Sequence, residues 1–68
     1  MQEQDTIRLI GEKISAERKK QNLSKYYFKK QGVQLHQLDY IESGSRDYSV
    51  KTLIKVLNIL KLDLWIFN

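Results

Sequence analysis

Two glycines, Gly32 and Gly44, bracket the segment GVQLHQLDYIESG, and their spacing leaves room for one short helix. Gly32 can take the positive φ of a tight turn at no steric cost, and Val33 is the first apolar residue beyond it. A helix over about 35–43, starting next to Gln34, puts Leu35, Leu38 and Ile41 on or near one stripe. His36, Gln37, Asp39 and Tyr40 then face elsewhere, and Gly44 stops the helix in a left-handed conformation. A short helix presented after a tight turn is a shape that enters the major groove of DNA.

The rest of the chain supplies helices to hold that segment. Asp5 or Thr6 can cap a first helix over about 6–21, with Ile7, Ile10 and Ile14 as its buried stripe and Asn22 closing it. Ser24 caps a second helix over about 25–31, in which Tyr27 and Phe28 offer the main apolar surface, and Tyr27 is expected in the core. Residues 45–48 read as a polar loop. Ser49 caps a fourth helix over about 49–60, where Val50, Leu53, Ile54, Leu57 and Leu60 make the most regular apolar face and most of the core. The fold class is therefore all-α, a single domain over residues 1–68.

A chain of 68 residues buries too little to be more than marginally stable, so a partner subunit is expected. The last residues suit that role. Leu62, Leu64 and Ile66 alternate with Asp63, Trp65 and Phe67, a period of two that fits a short strand pairing with its copy across a two-fold axis, although helix stays open for so short a run. Leu62, Leu64, Trp65, Ile66 and Phe67 are thus the expected dimer contacts.

Charge separates two halves. From Lys13 to Lys30 seven basic residues stand against Glu17, a local charge of +6, while residues 31–68 balance at four against four. Such a band suits a polyanion, because each neutralised phosphate releases condensed counterions; a solvated lysine-rich surface is the bland alternative. With no cysteine and one histidine, His36, neither a disulfide framework nor a metal site is expected, and no cofactor is called for. No serine, thiol or carboxylate is spaced to work with His36, so the chain does not read as an enzyme. The polar N-terminus and the lack of a long apolar run give a soluble, cytoplasmic expectation with no membrane partner.

In this order and spacing, IGEKISAERKKQNLS, GV, IESG with Arg46 after it, and SVKTLIKVLNIL resemble the Cro and phage-repressor (XRE) type of helix-turn-helix regulator. The resemblance covers roughly residues 10 to 62. It implies a small four- to five-helix, lambda-repressor-like domain whose helix after the turn enters the major groove. Carried over, it sets Gln34, Leu35, His36, Gln37 and Tyr40 toward bases and Ser24, Lys25, Ser43 and Arg46 toward phosphates. It also pairs Arg18 with Glu42 as a structural ion pair.

Two departures stand out. From Leu23 to Gly32 the chain is one residue shorter than the family pattern, so Phe28 or Lys29 takes a position usually held by alanine. The reading helix also offers Leu35 and the acid Asp39 where arginine, lysine or amide forks are usual. Gln34 or Gln37 suits adenine, His36 guanine, Leu35 a thymine methyl, and Asp39 either accepts from cytosine or repels phosphate. The expectation is a repressor that binds a palindromic operator in double-stranded DNA as a homodimer. The alternative is a protein-interaction or antitoxin-type module, whose partner would be a toxin.

Overall fold

The first helix begins earlier than its candidate caps suggest. In the computed structural model, which describes residues 3–62, α1 runs Glu3–Lys20 and encloses both Asp5 and Thr6. Acids in a first turn complement the helix dipole, and Asp5 here also bonds Arg8 at 3.3 Å. Neither residue is free to stand outside as a cap.

Three further helices follow: α2 at Lys25–Lys30, α3 at Leu35–Glu42 and α4 at Val50–Leu60. Ser24 caps α2, its Oγ accepting the Tyr27 N–H at 3.2 Å, and Ser49 caps α4, its Oγ accepting the Thr52 N–H at 3.1 Å. The four helices of the described residues end alike. Asn22, Gly32, Gly44 and Lys61 have φ of 58°, 94°, 81° and 60°, and each is followed by an N–H that reaches back to a carbonyl five residues earlier. After α3, for example, Gly44 N–H donates to Ile41 and Ser45 N–H to Tyr40, which satisfies carbonyls the helix leaves open. Asn22 and the two glycines tolerate that backbone readily, whereas Lys61 does not.

The core is formed by Ile14, Phe28, Val33, Leu38, Ile41, Val56, Leu57 and Leu60, all nearly or fully buried. α1 packs on α3 and α4, and α3 packs on α2 and α4. Truncating one of the large members to alanine would remove about 2–5 kcal/mol, comparable with the stability of a domain this size. Phe28 takes the inner position of α2 and Lys29 is exposed, so the aromatic ring fills the space and the lysine stays wet.

Three expectations about burial need correction. Tyr27 is 41% exposed, because Phe28 already occupies the side of the six-residue α2 that meets the core. On α4, Val50 and Ile54 are 70% and 43% exposed, and the inward stripe is Leu53, Val56, Leu57 and Leu60. That stripe keeps the i, i+3, i+4, i+7 spacing one face over from the expected one. Residues 45–48 are not wholly polar surface either: Tyr48 packs on the core, and burial raises the pKa of its hydroxyl above the usual tyrosine value. Leu62 also packs against this domain's own core, while Leu64, Trp65, Ile66 and Phe67 of the expected dimer segment lie outside the described residues.

Gly11 sets how α3 is held. A Cβ there would collide with the Ile41 carbonyl oxygen and come within 3.2 Å of that of Glu42, so α1 touches the last turn of α3 backbone to backbone. Gly44 lies against α1 as well, its carbonyl accepting from Gln4 Nε2 at 3.0 Å.

Candidate nucleic-acid interface

α3 turns Leu38 and Ile41 inward, which leaves its opposite side for other contacts. At about 100° per residue, His36 and Tyr40 lie on the outer side, with Gln37 on one flank and Asp39 on the other. His36 and Tyr40 are exposed and their rings meet edge to face, 5.8 Å between centroids. Gln34 stands at the N-cap, exposed, with no capping bond from its side chain. Leu35 is half-buried at the rim of a shallow cleft shared with Lys29, Gly32 and His36, so only part of it is offered outward.

Each flank of α3 is tied to a neighbour. On one side Lys25 Nζ donates to Asp39 Oδ1 at 2.6 Å, both groups about half exposed. On the other, the Ser49 N–H donates to Gln37 Oε1 at 3.3 Å. The first contact neutralises a cation expected at phosphate. The second fixes the amide of a residue expected at a base edge, since only the oxygen of that amide can face an N–H.

The remaining expected contacts surround this face. Ser24 uses its hydroxyl as the α2 cap, and the Ser43 hydroxyl donates to the Tyr40 carbonyl at 3.2 Å. Arg46 is exposed in the loop between α3 and α4. Behind them, Arg18 and Glu42 form a two-pronged ion pair, Nε to Oε2 at 2.7 Å and Nη2 to Oε1 at 3.1 Å. With 12% and 9% of their side-chain surfaces exposed, the two are largely shielded from water. Arg18 Nη1 also donates to the Leu23 carbonyl at 3.0 Å, so one guanidinium joins the end of α1, the entry to α2 and the end of α3.

Sequence reasoning overlooked Lys51 and Lys55. They belong to a half of the chain whose charges balance on paper, yet both line a polar cleft beside Gln34 and Gln37. A pairing of lysines four apart on α4 was the available signal. Tyr26 is more than half exposed, with Lys29 and Lys30 over its ring at 5.9 and 5.2 Å, a basic aromatic surface on α2.

Among the described residues no cluster of acidic, histidine or cysteine side chains is arranged to hold a metal ion, and no helix is long and apolar enough to cross a membrane. Compared with family models, curated proteins and solved structures, the chain matches none.

Proposed function

We propose that the chain is a DNA-binding transcriptional regulator, a repressor with a lambda-repressor-like helix-turn-helix, that reads a palindromic operator in the major groove as a homodimer. One arrangement supports this above the rest: α2, a turn at Gly32, and α3 with its inner face in the core and its outer face carrying Gln34, His36 and Tyr40. The Arg18 to Glu42 pair and the close approach at Gly11 fix the far end of α3, which a base-reading helix requires. In this reading Ser24, Ser43 and Arg46 meet phosphates, Lys25 does so only where it leaves Asp39, and occupancy of the operator blocks transcription. A dimer of this kind sets its reading helices about 34 Å apart.

A second reading, a protein-interaction module of antitoxin type, draws support from the Lys25 to Asp39 bond, which leaves one flank of α3 electrically neutral. Selection of duplexes from a random pool at about 0.1 M salt separates the two. A palindromic motif with half-sites about 10 base pairs apart is the expected result. Binding without enrichment, and without salt dependence, would overturn the regulator and favour the protein module.

A further inference from the structure

α4 breaks two local rules in one place. Lys51 and Lys55 lie four residues apart, so they share a face and repel one another. Lys51 also puts a positive charge in the first turn of an 11-residue helix that has no acid there, against the helix dipole. Among the described residues neither lysine has a carboxylate partner. Unfavourable placements without local compensation are expected where a ligand supplies the compensation.

Both lysines open onto a cleft of about 340 Å³ whose other walls include Gln34, Gln37, Ser49 and Thr52, and no acidic residue lines it. Lys55 Nζ lies 3.7 Å from where a Cβ on Gly32 would sit, so its ammonium group stands over the turn between α2 and α3. Ser49 and Thr52 spend their hydroxyls on each other at 2.9 Å and on the helix cap. The ammonium groups therefore carry the cleft's positive charge, beside the amides of Gln34 and Gln37.

Orientation relates this cleft to a duplex. Gln37 and Asp39 are roughly 160° apart around α3, and a helix seated in a groove about 12 Å wide has a sugar-phosphate strand on each side. The Asp39 side is neutralised by Lys25, whereas the Gln37 side opens onto Lys51 and Lys55. We infer that Lys51 and Lys55 form a clamp for a backbone phosphodiester of the DNA strand on the Gln37 side of α3. The inference rests on the DNA-binding reading above.

The test measures affinity of the full chain for the selected duplex and for a random duplex across a salt series. Lys51→Gln/Lys55→Gln is expected to weaken both duplexes alike, roughly tenfold at 0.1 M salt, and to lower the salt slope by about 0.9 for each phosphate released. Lys61→Gln removes charge at the C-cap of α4, about 9 Å along the helix axis from Lys55 and about 15 Å from Lys51, and should leave the slope unchanged. Thermal unfolding without DNA should show the double variant at least as stable as the parent. A parent that binds and a double variant that binds equally well overturns the clamp alone, as does an equal loss in Lys61→Gln. A parent with no salt-dependent DNA binding overturns the clamp and the regulator together. Replacing sodium chloride by sodium phosphate at equal ionic strength should leave the ratio of parent to variant affinity unchanged; a collapsed ratio would mean that free phosphate, not the duplex, is what the cleft takes.

Discussion

The side-chain oxygen of Gln37 accepts the backbone N–H of Ser49 at 3.3 Å, so a residue on the flank of α3 also holds the first turn of α4. With the oxygen engaged, the two N–H donors of the amide are what it has left for a base edge. A bidentate grip on adenine needs a donor and an acceptor side by side, whereas guanine offers two acceptors, N7 and O6. Gln37 is therefore expected to select guanine over adenine at its base step. Duplex selection with the parent and with Gln37→Ala checks this: the parent should enrich guanine at one position per half-site and the variant should lose that preference. Enrichment of adenine there would show that the bond to Ser49 breaks on binding.

Arg18 and Glu42 supply a second prediction. Their pair is shielded and two-pronged, and removing either partner leaves a largely buried charge without its counterion, at a cost of about 3 kcal/mol. Glu42→Gln and Arg18→Met should each lower the urea midpoint strongly, and replacing both by apolar residues should restore much of the loss. Equal destabilisation by the single and the double replacements would mean that the pair contributes through its attraction rather than through mutual neutralisation.

How much of this was legible in the sequence follows from the range of each interaction. The turn residues Asn22, Gly32 and Gly44 and the caps Ser24 and Ser49 act within a few residues, and the structure has them where the local chemistry puts them. The inward face of α4 was misjudged because α4 has more apolar positions than one face can bury, and only packing against α1 and α3 decides which remain outside. Tyr27 and Phe28 are adjacent, so composition alone did not say which one points in. Gly11 gave a readable signal, a glycine in a helix interior that costs about 1 kcal/mol against alanine, but its reason is the carbonyl of Ile41 from another helix. The bonds from Lys25 to Asp39 and from Gln37 to Ser49 join residues 14 and 12 positions apart. No spacing rule reaches that far.

Asp39 is the exposed acid of α3, and its charge opposes a duplex, whereas Glu42 is shielded in its pair with Arg18. Its bond to Lys25 is surface-exposed and contributes at most about 1 kcal/mol to stability, so Asp39→Asn should fold as the parent does. On random DNA the variant should bind several-fold more tightly, with a salt slope steeper by about 0.9, as Lys25 becomes available to a phosphate. An unchanged slope would show that Lys25 stays away from the backbone.

Lys61 ends α4 with a φ of 60°, a backbone region where a Cβ crowds the following carbonyl at a cost of about 1–2 kcal/mol. Glycine removes that strain but adds freedom to the unfolded chain, which returns part of the gain. Lys61→Gly is therefore expected to stabilise the domain by about 0.5–1 kcal/mol, seen as a rise in Tm of a few degrees. The residue is exposed and at the far end of α4 from the Gln37 flank, so DNA affinity should not change. A lowered Tm would mean that the lysine side chain contributes more to this helix end than its backbone strain removes.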